Sequence, residues 1–119
     1  MKNSPLIDKS KAFALEIIKV CNYVKQNKKE TVLTNQLIRS GTSVGANIRE
    51  AFYGHGRADF IAKLQIALKE ANETGKWLEM LYKTGYIDSA EYKKLDRLCS
   101  TIRVLLIKSI TTAKANINK

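Results

Sequence analysis

The chain has 119 residues, 45% of them apolar and 27% charged; this suits one domain with a packed core and excludes a disordered polar tail or a collagen-like repeat. It carries 21 Lys and Arg against 11 Asp and Glu, a net charge of +10, and such a surplus attracts polyanions, nucleic acid first among them. The longest apolar runs, such as Val104 to Ile107, are far below the roughly 18 residues that cross a bilayer, and no signal-peptide core is expected. A cytoplasmic protein without a membrane partner is expected.

Apolar spacing predicts four helices and no strands, organised as one domain over residues 1–119. The first helix covers 4–28, with Ser4 as N-cap, Pro5 in the first turn and Asp8 at its positive end. Leu6, Phe13, Ile17, Val20 and Val24 form its seam, widened by Ala14, Ile18 and Cys21. The second covers 30–53 and carries Leu33, Leu37, Val44, Ile48 and Ala51 on one stripe. Gly41 and Gly45 sit beside that stripe; a helix keeps such glycines, at about 1 kcal/mol each, where a neighbour must come close. The P-loop spacing is absent, so a phosphate-cradling loop is not expected there.

The third helix covers 57–84 and stops at Gly85, with Ile61, Leu64, Ala67, Leu68, Ala71, Gly75, Leu78 and Tyr82 as its core stripe. The fourth covers 88–117 and opens on a capping box, Asp88 with Glu91 three residues later. Its stripe is Leu95, Cys99, Ile102, Leu105, Leu106, Ile110, Ala113 and Ile117. Long helices on short connections fold back on one another, which predicts an all-α, antiparallel up-down-up-down four-helix bundle with its first and last helices adjacent.

Charge divides unevenly along these segments: +5 over 1–29, 0 over 30–56, +1 over 57–86 and +4 over 87–119. Adjacent end helices would bring the surplus onto one flank, whose candidate nucleic-acid contacts are Lys19, Lys25, Lys93, Lys94, Arg97 and Lys108. Aromatic residues are not interleaved with these cations, so phosphate or shape contact is expected rather than base readout.

The third helix has a second apolar arc, Ala62, Ile66, Trp77 and Met80, with Glu73 on the same side, and Val104 and Ile107 fall in the polar arc of the fourth. A monomeric bundle would leave these apolar residues exposed, so these seven positions are candidates for a homo-oligomer interface. Asn47, Glu70, Asn72 and Glu73 are candidates for a hydrogen-bond network between helices.

Catalytic chemistry finds little to work with. The single His55 sits between two loop glycines, and Cys21 and Cys99 lack CxxC or Cys/His spacing and read as core residues. No HExxH, EF-hand or Glu-x-x-His pattern occurs. Neither an enzyme, a metal, a cofactor nor a small-molecule substrate is expected.

The run from Gln36 to Ala51, which contains Ser40-Gly41-Thr42-Ser43-Val44-Gly45-Ala46-Asn47-Ile48, with Asp59-Phe60-Ile61-Ala62-Lys63-Leu64, Ile66 to Thr74, Trp77-Leu78 and Gly85-Tyr86-Ile87, resembles the four-helix-bundle proteins encoded in 23S ribosomal RNA intervening sequences. Gly45 stands where many relatives carry Pro and keeps the small-residue requirement. The resemblance implies a homopentameric bundle associated with RNA and brings no established catalytic activity. Distant relatives serve as accessory proteins to the reverse transcriptases of diversity-generating retroelements. A noncatalytic RNA-associated oligomer is the expectation, with a protein-interaction scaffold or accessory subunit as the alternative.

Overall fold

The computed structural model describes residues 4–117, which form α1 (Pro5–Lys28), α2 (Val32–Tyr53), α3 (Arg57–Lys83) and α4 (Ser89–Ile117). No strand occurs among the described residues. The helices pack side by side in the cyclic order α1, α2, α3, α4, with α4 closing against α1, into a rod of 52 × 22 × 20 Å.

Local chemistry sets each boundary. The Leu6 N–H donates to Ser4 Oγ at 3.1 Å and Pro5 follows the cap, as the sequence predicts. Lys29 then turns left-handed, at φ 56°. Glu30, expected as the first residue of the second helix, instead caps it from outside. Its buried carboxylate accepts from Leu33 N–H at 3.0 Å and Thr34 N–H at 3.2 Å, so the helix begins at Val32. Gly54, His55 and Gly56 connect α2 to α3, with Gly56 at φ +82°.

After α3, Tyr86 N–H donates to Leu81 O and Gly85 N–H to Tyr82 O, with Gly85 at φ +85°. This paired bonding in a left-handed glycine closes the helix and reverses the chain. Asp88 Oδ1 then accepts from Glu91 N–H at 2.8 Å and starts α4.

One cluster of buried side chains runs the length of the rod, with Phe13, Ile17, Leu37, Ile48, Leu64, Leu78, Leu95, Ile102 and Leu106 at its centre. The third helix differs from expectation at one turn. Leu81 is the core residue, fully buried, while Tyr82 is half-buried and stacks on Tyr92 with ring centroids 4.6 Å apart. Leu33, Leu68 and Leu105 are likewise half-buried packers at the margin, and Ile18 is exposed. Ile117, placed on the fourth stripe, has a side chain outside those described.

The two glycines of α2 do mark a close approach. A Cβ on Gly41 would lie 3.0 Å from Ile17 Cγ2. One turn on, a Cβ on Gly45 would lie 3.4 Å from Ser10 Oγ. Polar links cross the other seams: Thr74 Oγ1 lies 3.0 Å from Ser40 Oγ between α3 and α2, and Cys99 Sγ donates to Ala71 O between α4 and α3. Between α1 and α2, Ser10 lies beside Gly45 and Cys21 beside Thr34.

Candidate nucleic-acid interface

The six predicted cations divide into three settings. Lys19 and Lys94 share one acid, Glu16 of α1, at 3.3 Å and 2.7 Å, and Lys94 also stands 3.9 Å from Glu91. The Lys94 hydrogen bond holds the Glu16 carboxyl below its ordinary range, and the same bond raises the Lys94 ammonium. Around them α1 and the start of α4 bound a groove of about 550 Å³ with Tyr23 and Tyr86 on its walls. Its cations Lys19, Lys28 and Lys94 face the acids Glu16, Asp88 and Glu91, so the groove balances its own charge.

Lys25 stands apart, on the α1–α2 seam, donating to Asn35 Oδ1 at 2.6 Å. Lys93, Arg97 and Lys108 are exposed, and none of them takes part in an ion pair among the described residues. Their spacing of four and eleven residues puts them on one ridge along the outside of α4, with Val104 between Arg97 and Lys108. The surplus predicted for a joint flank is thus neutralised where α1 and α4 meet and free on the outer ridge of α4. A further pair of cations, Lys11 and Arg49, borders a hollow of about 180 Å³ between α1 and α2 whose lining holds no acid.

The seven predicted interface residues also separate. Ile66 and Met80 are each 43% exposed and Val104 and Ile107 each 51%, with Ala62 exposed beside them. Trp77 is not exposed as expected: it is half-buried and packed against the core, with Lys76 Nζ 4.6 Å from its ring centroid. Its Nε1 is buried without a hydrogen-bond partner among the described residues. Glu73 pairs with Lys76 on its own helix at 3.3 Å.

Ile66, Glu70, Glu73 and Trp77 lie on one edge of α3, and Glu70 on that edge reaches Arg39 of α2 at 3.3 Å. Tyr82 and Ala71, which meet α4, lie on the far side of the same helix. The α3 arc therefore follows the α2 seam, whereas Val104 and Ile107 belong to the separate surface of α4. Of the expected polar network, Glu70 alone bonds across to another helix; Asn47 donates to Ser43 O within α2. The buried Ser40–Thr74 contact was not anticipated, because Ser and Thr inside a helix more often bond back to their own turn, which both also do here.

Among the described residues no group of three or more His, Cys, Asp or Glu is placed to hold a metal ion. Burial pushes the Cys21 thiol up to about 12 and the Cys99 thiol up to about 11, and both are free. His55 is exposed in the connection between α2 and α3. No described helix is long and apolar enough to cross a membrane.

A family profile described as 23S rRNA-intervening sequence protein matches residues 2–108. The chain belongs to this family. A solved relative supports the assignment: a protein with unknown function from the S23 ribosomal protein family of Bacteroides thetaiotaomicron VPI-5482 is 48% identical, with a TM-score of 0.87 over 88% of this chain and 97% of that one. Among curated proteins none matches. The structure gives the small-residue run around Gly41 and Gly45 its physical sense as the place where α2 approaches α1.

Proposed function

We propose that this member of the intervening-sequence family is a noncatalytic, RNA-associated cytoplasmic protein. In this reading residues 1–119 form one antiparallel up-down-up-down bundle that assembles as a homopentamer and holds RNA backbone phosphates on a basic surface. The observation that carries the reading is the outer ridge of α4, where Lys93, Arg97 and Lys108 stand exposed without acidic partners among the described residues. Cations free of carboxylates can exchange counterions for phosphates, whereas Lys19 and Lys94 would first have to leave Glu16. Repeating a chain of +10 around an assembly strengthens its long-range field.

The test is binding of a structured RNA across a salt series by fluorescence anisotropy. The reading expects affinity to fall steeply as salt rises. Lys93→Glu with Arg97→Glu should weaken binding and flatten the salt slope, each lost phosphate contact lowering it by about 0.7 to 0.9. Absence of binding at about 50 mM salt refutes the RNA reading. A protein-interaction scaffold is the second reading, favoured by the exposed Ile66, Met80, Val104 and Ile107.

A further inference from the structure

The end of the rod opposite the Gly85 turn holds a cleft of about 660 Å³, formed by the end of α2, the start of α3 and the last turns of α4. Its apolar wall is a pair of rings from two helices, Phe52 and Phe60, packed edge to face with centroids 5.2 Å apart and planes at 89°. In such a pair one ring shows its face where the other shows its edge. Arg57 and Lys108 stand at the same cleft, and among the described residues neither forms an ion pair and no acidic side chain lines it. The carboxylate of Asp59, which is not itself a lining residue, lies against Gly54, which is. A Cβ on Gly56 would meet nothing within 4 Å, so this lining residue borders open space.

An aromatic wall that presents one ring face, beside two cations without ion pairs among the described residues, matches a ligand that joins a ring to an anion. The volume falls in the usual range for small-ligand sites, roughly 300 to 1,000 Å³. Inorganic phosphate would use the cations and leave the rings idle; a neutral aromatic would do the reverse. A nucleotide uses both, its base stacked on the one phenylalanine ring that shows its face and its phosphate on Arg57 and Lys108. We infer that this cleft receives a single unpaired nucleotide. The inference builds on the RNA reading by adding base stacking to phosphate contact, through rings that are remote from Lys108 in sequence. Stacking selects unpaired over paired bases and is tolerant of base identity.

The probe is 2-aminopurine, whose fluorescence is quenched on stacking, used as the free ribonucleoside 5′-monophosphate and within a single-stranded oligoribonucleotide. Both should be quenched by the full chain, and the same oligonucleotide annealed to its complement should not. Phe60→Leu, which keeps an apolar side chain but removes the ring, and Arg57→Glu should each weaken binding about tenfold or more, with helicity and melting temperature followed in parallel. Lys108 is left intact, because it also serves the α4 ridge.

Quenching of the free nucleotide without binding of structured RNA would sustain the cleft and overturn the RNA reading. Salt-sensitive binding of structured RNA without quenching of either probe would do the opposite. Quenching that persists unchanged in folded Phe60→Leu and Arg57→Glu variants overturns the site.

Discussion

Replacing each α2 glycine by alanine tests the helix contact at its narrowest point. In a helix interior Ala is favoured over Gly by about 1 kcal/mol, so both substitutions begin with the same gain. At Gly45 the new Cβ meets Ser10 Oγ at 3.4 Å and Ser10 Cβ at 3.6 Å, ordinary contact distances. Gly45→Ala should therefore stabilise the protein by about 0.5 to 1 kcal/mol. At Gly41 the Cβ falls 3.0 Å from Ile17 Cγ2 and 3.2 Å from Cγ1.

Ile17 is fully buried and β-branched, so those carbons are fixed to its own Cβ and cannot swing aside without moving α1. Overpacking of this kind costs about 1 to 3 kcal/mol, which turns the gain into a net loss of about 1 kcal/mol. Guanidinium and thermal unfolding at one fixed protein concentration read both, and 1 kcal/mol in a chain of this size is about 3 to 6 °C. Equal stabilisation by the two alanines would refute the reasoning, since it would mean that the helices part freely at Ile17.

Thr74→Val keeps the shape and removes the hydroxyl facing Ser40, whose own proton remains bonded to Leu37 O; a loss of about 1 kcal/mol in chemical denaturation is expected. Cys21 and Cys99, buried and with thiols near 12 and 11, should resist Ellman's reagent at pH 8 in the native protein and react fully in denaturant. Because the Glu16 carboxyl is lowered on folding, its contribution to stability is complete above the ordinary carboxylate range and is lost as pH falls through the lowered value. The melting temperatures of wild type and Glu16→Gln should accordingly differ at pH 7 and converge in acid; a gap unchanged with pH would contradict this.

Helices and their ends were legible because they rest on local rules: Ser4 with Pro5 and Gly85 perform the capping their residue types predict, and Asp88 forms one half of the expected capping box, with the Glu91 carboxylate near Lys94 instead. Glu30 was read as the first helical residue because the sequence does not show that its carboxylate folds forward onto Leu33 and Thr34. Spacing also identified the second apolar arc of α3, yet not the depth of Trp77, because large side chains on an arc edge reach back over the neighbouring helix.

The basic flank was legible as a surplus and illegible as a surface. Segment charges do not reveal that one acid, Glu16, stands between two lysines from different helices. Nor could the sequence place Phe52 and Phe60 beside Lys108, since that proximity arises from the close of α2, the start of α3 and the last turns of α4 arriving at one end.

At 52 Å by about 20 Å, the rod is long enough to separate its ends energetically. The balanced groove beside Lys94 and the phenylalanine cleft beside Lys108 are fourteen α4 residues apart at their nearest, about 20 Å of helix. Substitutions so far apart with no common partner add independently. Each tip can thus be altered on its own terms: lateral neighbours that gather around the long sides would leave both tips in water, one with its charges settled and the other with its charges unclaimed.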